Sequence, residues 1–169
     1  MTIILMLNSS HHQLISNLIE TELNVGDQIQ FNVTSNSMQP IMQIGDLIIA
    51  EVVNTGIVKP GDIIIIRRSD DFLTHRVISI TKDGWLTKGD NNLMMDPIVK
   101  RGSLIGLVKE VHKNNQRIVL ESTRLGRVKG LFAMLGELEV RASNHHRLLR
   151  LPFRICIKGV QKFSMQGLN

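Results

Sequence analysis

Three short stretches of the chain hold side chains able to carry out acyl-transfer chemistry. The first is Ser35-Asn36-Ser37-Met38-Gln39-Pro40, directly after a strand-like alternation and before Gly45-Asp46. A serine at a strand end, in a chain turned by a proline, projects its hydroxyl from a rigid support, and a nucleophile needs that support. Serines in loops more commonly serve as turn or capping residues. The second stretch is Thr74-His75-Arg76-Val77. Imidazole titrates near neutrality and can take a proton from a hydroxyl; a lone strand histidine is more often simply packed or solvated. The third is Thr87-Lys88-Gly89-Asp90-Asn91-Asn92, followed by Asp96-Pro97. A Gly-Asp-Asn-Asn turn is ordinary surface chemistry, with Asp90 able to bond its own backbone.

The elements that must position these residues are short strands. Gln28–Thr34 alternates, with Ile29, Phe31 and Val33 expected inward. Asp46–Val53 and Asp62–Arg68 are β-branched runs separated by Gly56 and the turn Lys59-Pro60-Gly61-Asp62. Leu73–Thr81 and Trp85–Lys88 are joined at Asp83-Gly84, a hairpin signal, and Leu104–His112 and Arg117–Glu121 flank Asn114-Asn115. A helix is expected over residues 10–23, where Ser10 and Gln13 fit a capping box and Leu14, Ile15, Leu18, Ile19 and Leu23 share one face. The fold class expected is mainly β, a compact coiled antiparallel domain with an N-terminal helix and a C-terminal extension. After Glu121 the pattern weakens: Leu125, Val128, Leu131, Phe132 and Leu135 have helical spacing interrupted by glycines, and Leu151–Lys158 alternates around Pro152.

The 169 residues suit one domain, and 43% apolar content suits a folded one. Residues 141–169 carry six basic residues and no acid, so of a net +5 the preceding 140 residues hold −1. The chain is therefore expected to divide into a body over 1–140, which holds the candidate catalytic residues and so the expected catalytic domain, and a basic extension over 141–169. A near-neutral body with a basic end argues against a nucleic-acid groove. It suits either a merely solvated face or peripheral attachment to anionic lipid. No run approaches the ~20 apolar residues of a membrane span, and no secretory signal is legible, so a cytoplasmic or peripherally membrane-associated protein is expected. One cysteine, Cys156, excludes an internal disulfide framework. The pairs His11-His12 and His145-His146 lack the spacing of a helical zinc motif, so neither a metal site nor a cofactor is expected.

In order, the blocks Ser-x-Ser-Met-x-Pro, Gly-Asp, Gly-Asp-Ile, His-Arg-Val and Thr-Lys-Gly-Asp-Asn-Asn, with a second aspartate six residues after the first, resemble the type I signal peptidases. The resemblance is to the endoplasmic-reticulum and archaeal branch. It runs from about Phe31 to Val111 and includes Ile105-Gly106-Leu107-Val108. It implies a fold of the kind shared with self-cleaving repressors, and cleavage of leader or signal peptides. Ser37 matches the nucleophile and His75 the general base; the eubacterial branch has lysine where this chain has His75. Asp96 matches the residue orienting the base, with Asp90 second. Ser35 matches an oxyanion-stabilising hydroxyl, and Met38 the substrate-binding edge where a peptide adds as an extended strand. Family members are membrane-anchored, and no spanning segment is read here. A repressor would need a DNA-binding module before Ser37, and only one plausible helix precedes it. The alternative to an enzyme is an inactive peptide-binding module of the same fold.

Overall fold

Three Gly-Asp pairs start three strands in the same way. Gly26, Gly45 and Gly61 take left-handed φ values of 97°, 91° and 92°, a region that penalises any Cβ. The aspartate that follows turns its carboxylate back onto the backbone N–H three residues earlier. Asn24 donates to Asp27 at 2.9 Å, Gln43 to Asp46 at 2.9 Å and Lys59 to Asp62 at 2.7 Å. Asp46 and Asp62 are buried, so these bonds satisfy carboxylates that would otherwise be costly to enclose. The two Gly-Asp blocks of the family-like pattern are thus strand-entry turns.

The structure is a computed structural model that describes residues 2–4, 21–68 and 71–120. Most of the helix expected over 10–23, the pattern after Glu121 and the basic segment 141–169 lie outside these residues. Eight strands are present among them: β1 (Thr2–Ile4), β2 (Gln28–Asn32), β3 (Leu47–Glu51), β4 (Ile63–Arg67), β5 (Phe72–Ile80), β6 (Trp85–Lys88), β7 (Leu104–Lys113) and β8 (Gln116–Val119). They form one sheet in the order β1-β2-β3-β7-β4-β5-β6, with β8 on β7. Every pairing is antiparallel except β1 with β2. The long β7 is the hub: Leu107–His112 pairs with β3, while Leu104–Leu107 pairs with β4 and Glu110–Lys113 with β8. Irregularities at Ile49/Ala50, Ile65/Ile66 and Val77/Ser79 add local bend and twist.

The four consecutive isoleucines of β4 show how the core is divided. Side chains alternate across a strand, so Ile63 and Ile65 join a cluster with Ile29, Phe31, Met38 and Val111. Ile64 and Ile66 join a second cluster with Val77, Trp85 and Leu107. A strand covered on both faces needs an unbroken apolar run, and β4 has one. The β7–β8 turn uses Asn114 and Asn115 at φ 50° and 60°, the conformation a two-residue hairpin favours.

On β7, Glu110 accepts Arg117 Nε at 2.7 Å and lies 3.2 Å from His112 Nε2. The Arg117 guanidinium is the main cause that holds the Glu110 carboxyl at about 2, with burial opposing and His112 assisting. A carboxyl lowered by folding stabilises the protein fully above its ordinary value, and the contribution disappears as pH falls through the lowered one. Glu110→Gln is therefore expected to melt below wild type at neutral pH, with the two curves converging near pH 2. A gap that persists at that pH in a thermal-melt series would refute the assignment.

Candidate active site

Ser37 sits where the chain leaves β2 and turns. Gln39 N–H reaches Asn36 C=O and Met42 N–H reaches Met38 C=O, both at 3.2 Å. Met38 drives this turn into the core, where it is 2% exposed. Ser37 is held by a buried neighbour while its own side chain remains partly accessible. Its Oγ lies 3.1 Å from Ser35 Oγ, which places the two serines expected at the nucleophile and oxyanion positions side by side.

His75 lies mid-β5 opposite Ile64 and is 2% exposed. Alternation turns His75 and Arg76 to opposite faces of β5, and each meets a different carboxylate. His75 Nδ1 is 2.6 Å from Asp96 Oδ2. Arg76 takes Asp90 in a two-pronged pair, Nε to Oδ1 at 2.8 Å and Nη2 to Oδ2 at 2.7 Å, and donates Nη1 to Gly61 C=O at 2.7 Å. Asp90, expected as second candidate for orienting the base, engages Arg76, while Asp96 is the carboxylate that faces His75 Nδ1. The cause is topological. After the 89–92 turn the chain returns antiparallel to β6, with Asp96 N–H on Thr87 C=O at 2.8 Å and Val99 bridged to Trp85, and that return carries Asp96 to His75.

Asp96 also accepts Thr87 Oγ1 at 2.7 Å. Partial burial pushes its carboxyl up, but the hydrogen bonds from His75 and Thr87 and the charges of His75 and Arg68 outweigh that and hold it below its ordinary value. An ionised carboxylate on Nδ1 fixes the tautomer that leaves Nε2 as the free acceptor. His75 Nε2 is buried and has no hydrogen-bond partner among the described residues.

The turn carrying Asp90 straps the loop that holds Ser37. Asn91 N–H donates to Ser37 C=O at 2.7 Å, Asn91 Nδ2 donates to Asn36 C=O at 3.2 Å, and Asp90 N–H meets Met38 Sδ at 3.5 Å. Gly89 is what lets these parts approach. A Cβ there would lie 2.8 Å from His75 Nε2, from Ser37 C=O and from Asn92 Nδ2. The histidine nitrogen and the serine backbone therefore lie within twice that distance of each other. Gly89→Ala has to push them apart, and a misplacement near 1 Å can cost ~10² in rate. For a site in which Ser37 and His75 act together on a peptide, the expected result is a kcat/KM about 10²-fold lower, whereas Gly102→Ala, with nothing within 4 Å of its Cβ, leaves it unchanged. Equal activity of both variants on one peptide would contradict this.

Beside Ser37 opens a cleft of about 530 Å³. Asn32–Ser35 form one bank and Asp71–Thr74 the other, with Phe31, Met38, Met42 and Ile65 between them. β6 pairs with β5 only from Arg76 onward, so Phe72–Thr74 has β4 on one side and the cleft on the other. Met38, expected at the substrate-binding edge, lines this cleft from within the core. The cleft was not legible in the sequence because its banks lie some forty residues apart. Thr87 and Gly89 belong to the Thr-Lys-Gly-Asp-Asn-Asn stretch, but only the chain's return along β6 reveals what they touch.

Compared with known protein families and with curated proteins, the chain gives no match. Among the described residues no group of side chains could hold a metal ion, and no helix is long and apolar enough to cross a membrane.

Proposed function

We propose that the chain is a serine endopeptidase of the signal-peptidase type, built on the coiled β fold shared with self-cleaving repressors. The carrying observation is the His75–Asp96 contact at 2.6 Å, with the opposite imidazole nitrogen unpaired and held near Ser37 across Gly89. An extended peptide lies in the cleft and adds its backbone to the bank at Phe72–Thr74, its apolar side chains entering between Phe31 and Met42. Ser37 Oγ attacks the scissile carbonyl as His75 Nε2 takes its proton, and Asp96 steadies the imidazolium. Ser37 N–H and the Ser35 hydroxyl support the oxyanion. His75 then protonates the leaving amine, and water releases the acyl group from Ser37. Ser37 Oγ and His75 Nε2 share no hydrogen bond in the free protein, and on this reading one forms in the substrate complex, as at other sites of this kind. The natural substrates on this reading are leader or signal peptides.

Digestion of a peptide library read by mass spectrometry tests the proposal. Wild type should cut within extended segments bearing apolar residues before the scissile bond, and Ser37→Ala should cut nothing while melting as wild type does. The same cuts from both proteins would overturn it. One observation favours a second reading: Ser37 Oγ is bonded to Ser35, and His75 Nε2 to nothing. That arrangement suits an inactive peptide-binding module, which would retain library peptides intact.

A further inference from the structure

Thr87 is fully buried on β6, directly opposite Val77 in the sheet register. Val77 is two residues from His75 on β5, so Thr87 and His75 share one face as diagonal neighbours. Its hydroxyl is spent on one atom, Asp96 Oδ2, at 2.7 Å, the same oxygen that faces His75 Nδ1 at 2.6 Å. Its carbonyl meanwhile accepts the Asp96 N–H at 2.8 Å. Thr87 thus holds Asp96 by backbone and side chain together. A carboxylate oxygen has two lone-pair directions in its plane. With one taken by the threonine, the other is left pointing at the imidazole.

We infer that Thr87 is a positioning residue of the peptidase site, aiming Asp96 Oδ2 at His75 and so fixing the direction of the base. The inference rests on the peptidase reading. A carboxylate without the threonine bond still pairs with His75 but is free to rotate about its own torsion, and the imidazole rotates with it. The defect belongs to the chemical step. Thr87 does not line the cleft, so peptide binding is untouched.

Thr87→Val keeps the shape and removes the donor; Thr87→Ser keeps the donor and loses a methyl. Losing a hydrogen bond to a charged group predicts a kcat about ten- to a hundredfold lower for Thr87→Val, with KM unchanged. Thr87→Ser should restore kcat to near wild type. A wild-type kcat in Thr87→Val, a loss that falls on KM instead, or a Thr87→Ser as impaired as the valine variant, overturns the inference. Should Thr87→Val not fold, Thr87→Ala takes its place against Thr87→Ser with the same outcomes. Ser37→Ala in the same assay separates the two levels: if it cleaves like wild type, the peptidase reading has failed. The positioning role is then judged by the His75 Nδ1 proton resonance. Thr87→Val must displace that resonance, as Asp96→Asn does, and an unmoved resonance refutes the role.

Discussion

Asp96→Asn is expected to lower kcat by about 10³–10⁴ while leaving the melting temperature close to wild type. The magnitude is that of the equivalent exchange in the Ser-His-Asp template. Here the mechanism is specific. Asp96 Oδ2 lies 2.6 Å from His75 Nδ1 and accepts Thr87 Oγ1, and its carboxyl is held below its ordinary value, so at neutral pH it meets the imidazole as a carboxylate. An amide there either presents N–H to Nδ1, which forces the proton onto Nε2 and blocks its use as a base, or presents a neutral oxygen that steadies no imidazolium. Both cost rate, and neither empties a cavity. Side-by-side kcat and melting measurements decide it: an active Asp96→Asn would remove Asp96 from the site.

Asp90→Asn should do the reverse, with stability the main loss. The Arg76 and Asp90 side chains are 3% and 6% exposed, and the pair is two-pronged. Removing one charge from such a pair leaves the other buried and uncompensated, at a cost of ~3–5 kcal/mol. For a domain this size that is a drop in melting temperature on the order of 10 °C. Because Asp90 belongs to the turn whose Asn91 N–H holds Ser37 C=O, the folded fraction should also turn over somewhat more slowly. A variant that melts like wild type would show that the ion pair contributes nothing net. A dead, fully stable Asp90→Asn would return it to the site.

The two aspartates also mark how far sequence reading reaches. Both stand in recognisable blocks, and Pro97 disfavours helical backbone at Asp96. What alternation alone could not supply was which strand face each would find, because that depends on the β5–β6 register and on the antiparallel return after residue 92. Local signals did better. The apolar run of β4, the alternation of β2 and the Asn114-Asn115 turn all lie where short-range periodicity and turn chemistry put them, and the antiparallel β class follows from them. β2 ends at Asn32 rather than at Thr34: Val33 N–H still reaches Asp46 C=O at 2.8 Å, but the Val33 carbonyl accepts from Gly45 N–H at 3.0 Å, out of register, because Asp46 N–H turns back to Gln43 C=O. The cleft, the Arg76–Asp90 pair and the clearance at Gly89 are long-range products of topology, and no residue spacing announces them. The helix expected over 10–23 and the basic segment 141–169 fall largely or wholly outside the described residues.

The central claim is that Ser37 becomes acylated. A peptide ester slows deacylation relative to acylation, so acid quenching within the first turnover followed by intact-mass and fragment analysis reads the intermediate directly. The account predicts one adduct of the acyl fragment's mass, mapped to Ser37, absent in Ser37→Ala and formed far more slowly in His75→Ala. Ester turnover with no adduct, or with the adduct on Ser35 or another residue, would contradict it.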